Sequence, residues 1–191
     1  MNPLNTIKGA LITGAVLAVL VMLGLGQHVF LAMSLARWFH IVSGVMWIGL
    51  LYYFNVVQMP GVAAANADKG GPGAAGINKF IAPRALLWFR WAAVATWLTG
   101  AWYLGGNLVS AFTFSPGFVT IGVGAWLGTI MLFNVWVLIW PNQKKALGLV
   151  AATDEEKAAA RKVAMYASRT NFALSIPMLL CMGSQSHGLP F

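Results

Sequence analysis

The sequence predicts an all-α, polytopic integral membrane protein, a bundle of about five transmembrane helices, and three observations predict it. Of its 191 residues, 59% are hydrophobic and only 8% are charged, with a mean hydropathy of +0.75, which leaves too few charges to cover a water-soluble surface. Five stretches are near or above the roughly 20 mostly apolar residues that a spanning helix needs. Lysine and arginine fall almost entirely in alternate segments between those stretches, as the positive-inside rule requires of a membrane protein.

The spans fall at roughly 10–27, 33–57, 85–105, 117–140 and 163–184, within a single transmembrane domain, 1–191. The first also resembles a signal peptide, with Lys8 before an apolar run. Leu23-Gly24-Leu25-Gly26-Gln27 is a poor small-x-small cleavage site, however, which favours an uncleaved anchor. The segment from Gln27 to Ala32 then reads as a tight hairpin. The stretch from Pro60 to Pro83 contains Lys69-Gly70-Gly71-Pro72-Gly73 and reads as a flexible connector. In the fourth span, Gly124 and Gly128 form a G-x-x-x-G pair that lets another helix approach closely. Thr153-Asp154-Glu155-Glu156 matches a capping box, so a helix is expected to start there and run into the fifth span, with a kink at Pro177.

Orientation follows from the cations. Lys8, Lys69, Lys79, Arg84, Arg90, Lys144, Lys145, Lys157, Arg161, Lys162 and Arg169 lie on one side and only Arg37 on the other, which places the N-terminus in the cytoplasm and the C-terminus outside. Tryptophans mark both interfaces: Trp38 and Trp102 the outer, Trp88, Trp91 and Trp140 the inner. The formal net charge of +8 is accounted for by this topology; no solvated basic face suggests nucleic acid. The single cysteine, Cys181, excludes an internal disulfide and any Cys-x-x-Cys motif.

Polar residues inside lipid are costly, about 2.5 to 3.5 kcal/mol for a charged side chain on insertion scales, so each is a functional candidate. All three histidines, His28, His40 and His187, come out on the outer side once the topology is fixed. Neutral imidazole is a ligand for haem iron, zinc and copper, and a haem b needs one axial histidine or a pair. Arg37, His40, Gly44 and Trp47 share one helix face. A porphyrin would fit this stripe, with iron on His40, Gly44 clearing room for the macrocycle edge, Arg37 pairing a propionate and Trp47 as an apolar wall. The same residues also read as a histidine bonded to a neighbouring helix, a snorkelling arginine and a packing glycine. A second set lies toward the inner side: Asn55 and Gln58, Arg90, Asn134, and Arg169 with Asn171. Their forked donors and acceptors suit a planar, anionic, hydrogen-bonding substrate, held by Asn55, Arg90, Asn134 and Asn171; amides also commonly join helices. All four acids, Asp68, Asp154, Glu155 and Glu156, lie in cytoplasmic segments, which argues against buried carboxylate catalysis.

The segment Arg37-Trp38-Phe39-His40-Ile41-Val42-Ser43-Gly44-Val45-Met46-Trp47-Ile48-Gly49, running on to Tyr52-Tyr53-Phe54-Asn55, resembles the membrane-bound bacterial urate hydroxylases. So do Phe133-Asn134-Val135-Trp136 through Trp140-Pro141-Asn142-Gln143-Lys144-Lys145, and Ser168-Arg169 through Asn171 and Pro177 to His187. The likeness covers about half the chain and corresponds to a short form, part of the membrane domain without the C-terminal cytochrome c. The His-x-x-x-Gly-x-x-Trp core alone is less specific, since bacterial membrane protoporphyrinogen oxidases have a similar helix. The resemblance implies oxidation of urate to 5-hydroxyisourate in a bacterial inner membrane. Haem b would sit near the periplasmic side on His40, with His187 or His28 opposite. With no Cys-x-x-Cys-His here, electrons would leave to a separate periplasmic cytochrome c or a respiratory complex. Thr170 stands where longer members tend to have a histidine. Two further roles stay open: a non-catalytic haem-bearing subunit of a larger membrane complex, and a structural subunit without cofactor; copper in place of haem is a further alternative.

Overall fold

The computed structural model describes residues 2–25 and 32–189, and every element in them is helical. The expected hairpin after Gly26 and the candidate ligand His28 lie outside the described residues. Residues 1–32 and 33–191 form two compact units. In the first, Asn2 and Thr6 accept backbone N–H groups of Leu4 and Gly9 at 2.9 and 3.0 Å and open α1, Ile7–Leu25. This helix buries none of its residues; it is apolar on every side, as suits a helix surrounded by hydrocarbon.

The second unit holds α2, Ala32–Ala67, α3, Ala82–Leu104, the short α4, Leu108–Phe112, then α5, Val119–Ala146, and α6, Asp154–His187. The four long helices make an antiparallel ring. Phe54 of α2 meets Phe89 of α3 edge to face, at 5.4 Å between centroids. Trp97 of α3 donates to Thr129 of α5 at 2.9 Å, and Trp91 meets Trp136 at 5.4 Å. Between α5 and α6, the Ile121 N–H donates to Gln185 at 2.9 Å at one end, and Asn134 meets Asn171 at 2.8 Å further in. The ring closes where Asn55 of α2 donates to Ser168 of α6 at 3.0 Å and the hydroxyls of Tyr52 and Ser175 lie 3.3 Å apart.

Small residues let these backbones approach. Along α6, Ala160, Ala164, Ala167, Ser168, Asn171 and Ser175 are all buried, a run at helical spacing that faces its neighbours. Of the predicted G-x-x-x-G pair, Gly124 fits: a Cβ there would lie 3.1 Å from the Cβ of Cys181, whereas one on Gly128 would meet nothing within 4 Å. Trp47, Leu51, Phe89, Met131, Val135 and Met178 fill the centre, while Val45, Leu98, Phe133 and Ile176 point outward.

Three helices, α1, α2 and α5, are long and apolar enough to cross a membrane. The other two long helices, α3 and α6, carry more polar side chains, Arg84 and Arg90 in one and the charged opening turns in the other. One expected boundary needs correction, and one holds. Most of the connector placed from Pro60 to Pro83 is helical, because α2 continues through Ala-rich Met59–Ala67 and a π-helical turn, Ile77–Ile81, leads into α3. The last helix begins at the capping box, with Thr153 accepting from the Glu156 N–H at 3.2 Å and Glu156 accepting from the Thr153 N–H at 2.8 Å.

Candidate functional site

His40 lies about two turns into α2, where α3 packs against it. Its Nδ1 is 2.8 Å from the backbone carbonyl of Thr96, and a carbonyl only accepts, so Nδ1–H is the donor. This contact fixes the tautomer and leaves the Nε2 lone pair free, the arrangement by which second-sphere carbonyls orient metal-ligating histidines. The ring sits in a cradle made by Gly100: a Cβ at that position would be 2.9 Å from Cε1 and 3.0 Å from Nδ1. The cradle gives a prediction whose sign opposes helix propensity. Alanine is favoured over glycine inside a helix by about 1 kcal/mol, yet Gly100→Ala should lower the melting temperature of the detergent-purified protein, because the methyl pushes the imidazole off Thr96.

The rest of the predicted stripe is distributed as follows. Gly44 lies beside Thr96, whose Cγ2 would be 3.7 Å from an added Cβ, an ordinary van der Waals contact, so the approach of α3 does not require glycine there. Trp47 is 2% exposed, with its indole N–H buried and without an acceptor. Arg37 is exposed. His187 is the exposed last residue of α6. Both histidines lie toward the same end of the bundle, His40 twelve residues before Tyr52 and His187 twelve after Ser175, which Tyr52 meets. Among the described residues no three His, Cys, Asp or Glu side chains come together.

The second polar set splits into separate clusters. Asn171, 0% exposed, donates to the Met131 carbonyl at 2.9 Å and accepts from Asn134 at 2.8 Å. Asn134 also borders an open groove with Leu138, Tyr166 and Thr170. Asn55 spends its amide on the Leu51 carbonyl at 2.8 Å and on Ser168, and its Oδ1, like the Oε1 of Gln58, is buried without a donor. Arg90 lies over the Trp140 ring, with Cζ 3.7 Å from the centroid. Arg169 is exposed. Both Asn55 with Gln58 and Asn134 fall in π-helical segments, Tyr53–Gln58 and Asn134–Ile139, a helix widening frequently found at functional sites. Thr96 and Gly100 are the partners that sequence reading did not single out, while Ser168 appeared there only within a family-like segment and Trp140 within such a segment and as an interfacial tryptophan. A threonine and a glycine one turn apart in an apolar helix were the available signal.

Fold and site together define an all-helical bundle whose mainly apolar core holds a few hydrogen-bonded polar side chains and whose exterior is also largely apolar. Residues 106–191 match the family model described as urate oxidase N-terminal, which supports a relation to the urate hydroxylases. The matched region takes in α4, α5 and α6, and with them Asn134, Asn171 and His187, while His40 and its cradle lie before it. No curated protein and no solved structure matches the chain.

Proposed function

We propose that the chain is a membrane-embedded, urate-hydroxylase-like redox protein that holds haem b through His40, and the observation that carries this reading is the Nδ1 contact to the Thr96 carbonyl. The residues fit the group: an oriented imidazole with Nε2 unengaged, a glycine cradle behind it, and a second histidine toward the same end of the bundle on α6. His187 would be the second histidine to hold the haem, and Arg37 is the candidate to pair a propionate. Haem b, when bound, would supply one-electron chemistry, with a separate periplasmic cytochrome c or a respiratory complex as the candidate electron acceptor. The chain's own contribution is to hold the ligand tautomer and to keep the ring between α2 and α3. Support for embedding comes from the apolar exterior, with Val45, Leu98 and Ile176 among many large apolar side chains exposed on the outside of the bundle. A hydrogen-bonding substrate would be held against the inner-side amides, where Asn55 and Gln58 carry unpartnered acceptors.

Oxidised and dithionite-reduced absorbance spectra of the purified protein test this directly. A Soret band with a reduced α-band is expected in the wild type and its loss in His40→Ala; a colourless wild type, still colourless after expression with added haem, overturns the proposal. A second reading, a haem-bearing accessory subunit without substrate chemistry, is favoured by one observation: Asn134 and Asn171 are satisfied by each other. Anaerobic addition of urate separates the two, since the enzyme would show haem reduction and the accessory subunit an unchanged spectrum.

A further inference from the structure

At the end of the bundle remote from His40, two cations share one indole. The guanidinium carbon of Arg90 lies 3.7 Å from the centroid of the Trp140 ring, and Nζ of Lys144, one turn further along α5, lies 5.7 Å from the same centroid. Stacking satisfies the face of a guanidinium but not its N–H groups, which point outward in its plane, and the Nη1 of Arg90 is buried without an acceptor. A buried donor left unpaired is destabilising, and two like charges held at one ring repel unless an anion lies near them.

The protein does not supply that anion. Its four acids are Asp68, Asp154, Glu155 and Glu156, and among the described residues the single ion pair is Lys157 with Asp154, at 3.2 Å. Asp68 instead accepts from the Gly70 N–H at 3.1 Å in its own turn, and Glu156 closes the helix cap. We infer that Arg90 and Lys144, both beside Trp140, form a site for an oxyanion of the phosphate class, Arg90 engaging oxygens through its fork and Lys144 another as a point charge. The phosphate comes either from the headgroup of an anionic phospholipid or from free phosphate. Trp140 stands where the apolar part of α5 gives way to Asn142, Gln143, Lys144 and Lys145, the level at which indoles and headgroups meet, and this favours the lipid. The lipid source rests on the reading of the bundle as membrane-embedded; neither source rests on the haem assignment.

The test is thermal unfolding of the full chain, delipidated in nonionic detergent, on titration with phosphatidylglycerol, phosphatidylcholine or inorganic phosphate. The wild type is expected to show a saturable rise of several degrees with phosphatidylglycerol and a smaller one with phosphatidylcholine. Arg90→Gln and Lys144→Gln should each lose most of that rise, and Lys162→Gln, away from the indole, should keep it. A comparable rise with inorganic phosphate would identify the free ion as the ligand. If Arg90→Gln does not fold, Lys144→Gln decides alone. Equal rises in the wild type and Lys144→Gln, no rise in the wild type with any of the three, or an equal loss in Lys162→Gln would overturn the site, the last by reducing it to diffuse attraction.

Discussion

Replacing Asn171 with leucine should cost about 2 kcal/mol of stability, the net of two effects that differ in size. Asn171 is wholly buried, and its amide joins the Met131 carbonyl to the Asn134 side chain. Leucine fills much of the volume but leaves the Asn134 donor without a partner and strips the Met131 carbonyl of its extra bond. In a water-referenced account each orphaned buried group costs about 1 to 3 kcal/mol. In a bilayer the unfolded helices also find partners, and single interhelical hydrogen bonds average about 0.6 kcal/mol with a maximum near 1.7. Two bonds at one residue therefore place the expected loss between these scales. Unfolding of α6 in mixed micelles, followed by circular dichroism, measures it. The double variant Asn134→Leu with Asn171→Leu should recover part of the loss, because both partners are then apolar. A double variant worse than the sum of the singles would show that Asn134 has a second role, toward the groove it shares with Tyr166 and Thr170.

That pair also shows what sequence reveals and what it conceals. Both asparagines stood out as polar residues in apolar stretches, and a substrate-binding role or a helix-joining role was open for each. Which one holds depends on the register of α5 against α6, a tertiary quantity set by Gly124 against Cys181 and by Gln185 against Ile121, and no local pattern encodes it. His40 behaves similarly: the imidazole is visible in the sequence, but its partner is the main-chain carbonyl of Thr96, which has no residue-type signature. Helix existence was legible because runs of about 20 mostly apolar residues mark helices in a sequence. The helix ends were less so, since α2 continues through Ala-rich Met59–Ala67 after the apolar pattern has stopped. The capping box located the start of α6 correctly because its side chain and backbone partners are adjacent in sequence. The π-helical turns around Asn55 and Asn134 had no such local marker.

Gly122→Ala should be the most damaging of the glycine substitutions in α5. A Cβ there would overlap the carbonyl oxygen of Ala111 and lie 3.1 Å from Cδ1 of Phe114 and 3.2 Å from the Ala111 carbonyl carbon. The Ala111 contacts are backbone atoms and cannot rotate away. Ala111 is itself 0% exposed, and α4 is fastened to α5 by the Trp126 indole N–H donating to the Phe112 carbonyl at 3.0 Å and by the Phe112–Trp126 contact at 5.2 Å. Relief by sliding α4 outward would break that fastening and disturb the turn in which Phe114 already adopts φ of 55°. Overpacking of this kind typically costs about 1 to 3 kcal/mol, more than the roughly 1 kcal/mol that alanine gains over glycine in helix propensity. Gly128→Ala is the matched control: with nothing within 4 Å of the added methyl, the propensity gain is unopposed and the variant should melt at or above the wild-type temperature. If both variants were stabilised alike, α4 would have to rest on α5 less closely than this geometry requires. Opposite signs at two glycines six residues apart in one helix would instead establish that the α4–α5 contact is set by backbone approach rather than by the apolar surface around it.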